Sequence, residues 1–516
     1  MKAENSDSDA ALALHVSSNP RRKLLLSQLA SGESEHDAGG VRLIGDEPET
    51  IEFKKEANGE EGGALIGVYV AAKGITGSAL MTGLVCALLP PAARPQSRAL
   101  PQADVQAIYR RLMREIEPIK IFDHHAHPGF GDDSDVDAQA APPQHLPLRA
   151  RDTNPELVVA VKALFGYPYP DLSEEHMRWL GEKSAAAEKE GGTAYWDSIL
   201  DKCGIEASIA NRVAMANYLD PKRFRWVFFV DSFLFPFDNK LVTGENPDEG
   251  VYIPLQEKVL RRYMQQAGIT QLPDTFDGYL AFISHILEEN QKKGGIAQKF
   301  EVAYFRSLYF ADPPREAAAA VYRKYRSSGV PAPGEYTTFQ DYVFRYLVTE
   351  GGRLHLPVHI HSAVGEGDYF SLQKGNVMNL ENIVKDPRYL ATTFVLLHGG
   401  YPYFRQVIWL AAMKNVYLDT SGIEVLLYPS ELKNVLKLWL ETYPEKVTFG
   451  TDAYPYSAAL GSEEGYWLGV HSARDALAAA LTEMVAAAEI TEAKALEFAH
   501  GYLHDNAVGL YPAASR

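Results

Sequence analysis

Residues 121–127 read Ile-Phe-Asp-His-His-Ala-His, and the reading of that stretch decides the fold. The run Ile119–Phe122 is mostly apolar and breaks at Asp123, so it reads as a buried strand whose end carries polar groups. Alternate residues of a strand share a face, which puts Asp123, His125 and His127 on one side and His124 on the other. Two imidazoles one strand-step apart can bind one metal ion. The tract follows a buried apolar run and does not sit at a terminus, which argues against a surface or tag-like cluster.

Similar short apolar runs recur downstream: Ile205–Ile209, Trp226–Asp231, Phe300–Phe305, Pro357–Ile360, Thr393–Leu397, Val416–Leu418 and Val447–Phe449. With Ile119–Phe122 there are eight, separated by helix-length connections. Runs that are apolar on both faces suggest parallel strands in β/α units, and eight of them fit a closed (β/α)₈ barrel, a TIM barrel of the α/β class. Helix signals agree: a helix over Val105–Glu117 precedes the first strand, Asn154-Pro155 is an N-cap followed by proline, and Ser472-x-x-Asp475 reads as a capping box. The stretches about 132–200 and 240–296 exceed ordinary connections and are expected to be helical insertions over the site.

If the barrel is right, the C-terminal ends of all eight strands open on one face, and groups far apart in sequence meet there. Pro357-Val-His-Ile-His361, Val395-Leu-Leu-His398 and Phe449-Gly-Thr-Asp452 each end a run with a residue of ligand type. One strand-end histidine is usually structural. Four such strand ends in one register point to a site.

With these residues placed, the chain resembles the amidohydrolase superfamily. The pattern Asp123-x-His125-x-His127, His361, His398 and Asp452 is similar to its metal signature on strands one, five, six and eight. Pro357–Ser362, Leu396–Pro402, Leu418–Ser421 and His504–Ala507 resemble the branch that includes aminocarboxymuconate semialdehyde decarboxylase and the amidohydrolase-like domain of glutamine-synthetase-like fusion proteins. The resemblance covers roughly residues 118–512. It implies that His125, His127 and His361 bind a divalent metal, that Asp452 binds it and acts on water, and that His398 reaches the substrate or the water. Many superfamily members hold two metals through a strand-four lysine or glutamate. Here Lys299-Phe-Glu301 stands near that place without clear register, so one metal is expected, with Glu301 as a candidate bridge. Imidazoles plus a carboxylate suit Zn²⁺, with Mn²⁺ or Fe²⁺ as alternatives. Arg306 and Arg405 are candidates to clamp a substrate carboxylate, and Tyr454 and Tyr456 to line the pocket.

Composition limits the rest. The 516 residues carry 46% hydrophobic and 23% charged side chains, which excludes a mostly disordered, collagenous or multi-span membrane chain. A formal charge of −17 disfavours a broad nucleic-acid-binding face. Cys86 and Cys203 form neither a C-x-x-C pair nor a disulfide framework, so a metal must be held by histidines and carboxylates. Residues 1–62 are rich in Ser, Asp, Glu and Gly and are expected to be a disordered acidic tail. Residues 63–100 are weakly hydrophobic, and the uncharged run Gly74–Ala93 is a candidate targeting or anchoring segment. A cytoplasmic homo-oligomer is expected unless that run exports or anchors the chain. Residues 101–516 form the barrel. The leading function is metal-dependent hydrolysis of a C–N (amide) bond in a small, carboxylate-bearing substrate. The alternatives are non-oxidative decarboxylation of a small unsaturated or aromatic acid on the same site, cyclic-ester hydrolysis, and a metal-free binding barrel.

Overall fold

The computed structural model describes residues 102–511 apart from 130–133, 141, 143 and 191, together with four short strands at Ala13–His15, Arg42–Ile44, Ile51–Lys55 and Ile66–Val68. Those four form a sheet in chain order, the first pair parallel and the others antiparallel, which the reading of the tail does not anticipate. The rest of that tail, and the Gly74–Ala93 run, lie outside the described residues. No described helix is long and apolar enough to cross a membrane.

Eight parallel strands follow one another around a barrel: β1 Ile121–Ala126, β2 Ile205–Arg212, β3 Phe224–Phe229, β4 Gly295–Phe300, β5 Val358–His361, β6 Phe394–Leu397, β7 Val416–Asp419 and β8 Val447–Thr448. Backbone bonds join the last strand to the first: the His124 N–H donates to Phe449 C=O at 2.9 Å, and the Asp452 N–H to His125 C=O at 2.7 Å. The expected TIM barrel is therefore present. Its N-terminal interior is filled by Phe122, Ala207, Ile209, Val227 and Ala297, against which Ala507 and Tyr511 from the C-terminal end of the chain pack.

Helices occupy the long connections. Pro155–Phe165, Glu174–Glu190 and Ala194–Cys203 lie between β1 and β2, and Glu249–Gln266 and Phe276–Lys292 lie between β3 and β4. Asn154 caps as expected, its side chain accepting from the Glu156 N–H. Ser472 does not cap. It lies inside the helix Ser462–Ala486, at whose start Glu464 Oε2 accepts the Gly461 N–H at 3.0 Å, and its hydroxyl bonds back to Leu468 C=O.

Two local expectations need correction. The fourth strand runs five residues earlier than its apolar run suggests. Gln298 and Lys299 are polar strand residues, Gln298 donating to Leu347 C=O and Lys299 entering the barrel mouth, while Glu301–Arg306 turns through i to i+3 bonds. On β1 the strict alternation fails because the ladder with β2 shifts between Asp123 and Ala126. Asp123 bonds Ser208 and the Thr451 N–H, Ser208 in turn meeting Tyr466 of an outer helix. His124 instead joins Asp419 and Tyr511.

Candidate active site

The strand ends surround a cavity of about 390 Å³ lined by His125, His127, Lys299, His361, His398 and Asp452 together with loop residues. His125 Nε2 and His127 Nε2 each lie 3.3 Å from Asp452 Oδ1. One ligand atom from each of the three residues falls within 4.8 Å of the others, so they are placed to share one cation.

Each member is held from behind. His127 Nδ1 lies 3.1 Å from Asp135 Oδ2, an arrangement that fixes the ring and leaves Nε2 toward Asp452. Asn211 on β2 sets its Nδ2 3.0 Å from His125 Nδ1. Asp452 is stitched to β1 by its own N–H and by the bond from His127 N–H to Ala453 C=O at 2.9 Å. Asp123 accepts the Thr451 N–H at 2.7 Å, which steadies the same segment.

The histidine pair beside the cluster has a readable proton order. His398 Nδ1–H donates to Ser421 C=O at 2.9 Å, which leaves Nε2 to accept from His361 Nδ1–H at 3.0 Å. His361 Nε2 is then a buried lone pair without a hydrogen-bond partner. A bound cation would satisfy that nitrogen, so the donor set fits a divalent metal: His125, His127 and Asp452 as the tight cluster and His361 beside it.

Electrostatics favour the neutral imidazole at His125 and His361. Burial, then the Lys299 ammonium, holds His125 well below its ordinary pKa; burial, then His398, does so for His361. Burial would push Asp452 up, yet His398, His125 and His127 outweigh it and hold the carboxyl well below its usual range. The site therefore presents a carboxylate and uncharged nitrogens at neutral pH.

Backbone strain concentrates here. His398 and Asp452 adopt left-handed conformations at φ 59° and 52°, which cost on the order of 1–3 kcal/mol each and persist only where surroundings enforce them. Glycine is needed beside both. A Cβ at Gly399 would collide with the Trp439 ring, and one at Gly422 would come within 2.8 Å of Asp452 Oδ2 and 3.2 Å of His398 Nδ1.

Not every expected residue arrives. Arg306 is spent on Asp341 Oδ1 at 2.6 Å and Gln340 Oε1 at 3.1 Å, and Arg405 is exposed over the Phe404 ring; neither lines the cavity. Glu301 also stays out, its N–H donating to Asp231 and its Oε2 accepting from Gln256. Tyr456 lines the cavity and donates to Asp452 Oδ2 at 3.2 Å. Tyr454 sits behind, its ring edge-on to His127 at 5.5 Å. Lys299, left out of register in the sequence reading, enters the site with Nζ 3.5 Å from His125 Nε2. Asp135, Asn211, Ser421 and Glu366 were not singled out either. Of these, Ser421 ends the segment Leu418–Ser421, and Asp135 and Glu366 lie eight residues beyond His127 and four beyond Ser362.

The amidohydrolase family model matches residues 298–513, from β4 through the C-terminal helices. The match takes in less than half of the chain and shows that residues 298–513 are similar to that family. A metal-dependent hydrolase from Lactobacillus casei superposes with a TM-score of 0.53 at 17% identity, covering 78% of this chain and 98% of that one. A glucuronate isomerase from Caulobacter crescentus gives 0.53 at 12% identity, covering 82% and 97%. At such identities the likeness is one of fold. Protein fluG of Emericella nidulans is 29% identical over 157 residues, 30% of this chain, and the chain spans 17% of that relative's length. The barrel thus carries a candidate metal site in a chain whose C-terminal part is similar to amidohydrolases.

Proposed function

We propose that the protein is a metal-dependent hydrolase of a C–N (amide) bond in a small molecule. The convergence of His125, His127 and Asp452 within 4.8 Å, beside His361 and His398, carries the reading. A divalent ion held there, Zn²⁺ before Mn²⁺ or Fe²⁺, would supply Lewis acidity that acidifies water and polarises an amide oxygen.

The chain's own groups do the rest. Asp452 Oδ1 faces the two Nε2 atoms while Oδ2 accepts from Tyr456 and lies 3.8 Å from His398 Nδ1. An ionised carboxylate so placed takes a proton from attacking water and returns it to the departing amine. Tyr456 fixes its orientation. His398 stands beside His361 in the cavity, where its Nε2 accepts from His361 Nδ1–H and holds the His361 ring with Nε2 unpartnered. The apolar wall of Ile423, Leu426 and Leu427 excludes bulk solvent and strengthens each polar contact.

Among the described residues no arginine lines the cavity, whose cationic side chain is Lys299. The same observation removes the expected carriers of a substrate carboxylate. The test is product analysis with metal-loaded protein on N-acyl and γ-glutamyl amides alongside aromatic and dienoic acids. Release of amine from an amide is expected; carbon dioxide from an acid, with no amide cleaved, would replace the proposal by its decarboxylase alternative.

A further inference from the structure

We infer that Glu366 is a specificity-determining residue that selects substrates carrying an ammonium or similarly cationic group. The inference rests on the hydrolase reading for the reaction and names what the same cavity recognises. Glu366 stands on the loop after β5 and lines the cavity. Its Oε2 accepts from the Tyr454 hydroxyl at 2.8 Å and from the Tyr252 hydroxyl at 3.4 Å. Two phenols from separate elements thus aim one carboxylate. Tyr454 also packs edge-on against His127, so a single ring links the carboxylate to the metal-binding cluster.

Charge around the cavity is uneven. Glu366, Asp368 and Asp452 line it, and among the described residues its permanent cation is Lys299, beside His125 at the floor. A substrate carboxylate near Glu366 would meet like charge, whereas an ammonium there would gain a charge-assisted bond. The intervening wall includes Leu146, Ile423 and Leu427, which suits an alkyl spacer between the scissile amide and the cation.

The experiment measures binding of two probes, n-butylammonium and n-butanol, to the metal-loaded full chain by calorimetry. The ammonium should bind at least ~10-fold tighter than the alcohol, the range for a hydrogen bond to a charged group. Glu366→Gln should bring that ratio toward one with the metal content held, and Glu366→Asp should keep part of it. A ratio near one in the natural protein, or an undiminished ratio in Glu366→Gln, overturns the inference. If Glu366→Gln does not fold, Tyr454→Phe keeps the carboxylate but loosens its aim and must lower the ratio; no change there also overturns it. The two readings fail separately. An amide panel without amine release sinks the hydrolase while leaving the probe ratio intact, and a flat ratio with amine release sinks only the role of Glu366.

Discussion

On the strand-end wall of the cavity, His127 rests on Asp135 at 3.1 Å, His398 on Ser421 at 2.9 Å, and Asp452 on two phases of the β1 backbone and on Tyr456. The loop wall, built by residues 144–147 and 364–368, is held differently. His145 N–H donates to Asp368 at 2.9 Å, and Asp248 accepts the Tyr369 N–H at 2.9 Å. Beneath that second bond Glu249 is 1% exposed, and neither of its carboxylate oxygens has a hydrogen-bond partner. Where reacting groups must keep their geometry, polar atoms are buried and supported; where recognition must adapt, the wall is loop, half exposed, and underlain by an unsatisfied acid. On the proposed function, chemistry belongs to the sheet and selection to the loops.

The largest effect should come from dismantling the strand-end wall. Replacing both His125 and His127 by Ala should take hydrolysis to the assay background while far-ultraviolet circular dichroism stays that of the barrel. Loss of the fold instead would mean that the pair is structural and that the two walls do not divide labour.

Asp452→Asn keeps shape and one ligating oxygen but cannot take a proton. It should retain much of the metal and lose at least ~10²-fold in kcat, as removal of a general base does. Near-native turnover would move proton transfer to His398.

A step further out, Asp135→Asn should weaken metal binding by ~10–100-fold, the usual effect of removing a carboxylate behind a ligating histidine. An unchanged affinity would show that His127 is oriented by packing alone, and the contrast between supported and unsupported walls would blur.

The smallest effect sharpens the loop side. Burial, then Glu245, pushes the Glu249 carboxyl up to about 8, only partly offset by Lys374. A carboxyl whose folded pKa lies above its unfolded value binds its proton more tightly when folded, so stability falls as pH rises from about 4.5 to about 8. The cost has an upper bound of about 5 kcal/mol. Glu249→Gln should therefore raise the melting temperature at pH 8 and leave it near unchanged at pH 4.5. Parallel melting profiles for the two proteins would show that this acid does not strain the loop wall.

Much of the strand-end wall was legible because its signal is local: an apolar run followed at once by His or Asp marks a strand end, and parallel topology brings such ends together. What failed had physical causes. A shift in the β1–β2 ladder rotated Asp123 and His124 away from the alternation their spacing implies. β4 carries the polar Gln298 toward the outer helix and Lys299 into the barrel, so its apolar run pointed five residues too far along and hid Lys299. The loop wall was beyond reach. Glu366 meets Tyr252 across 114 positions and Tyr454 across 88, and Arg306 is claimed by Asp341 on a helix 35 positions away. No periodicity encodes those meetings.

The central claim is that His125, His127 and Asp452, with His361 beside them, hold one divalent ion that the reaction needs. Elemental analysis of the purified full chain tests it most directly, read beside the same analysis of the His125→Ala, His127→Ala double variant. About one divalent ion per natural chain and almost none in the variant are expected. Metal-free natural protein that hydrolyses its substrate, or equal metal in both proteins, would contradict it.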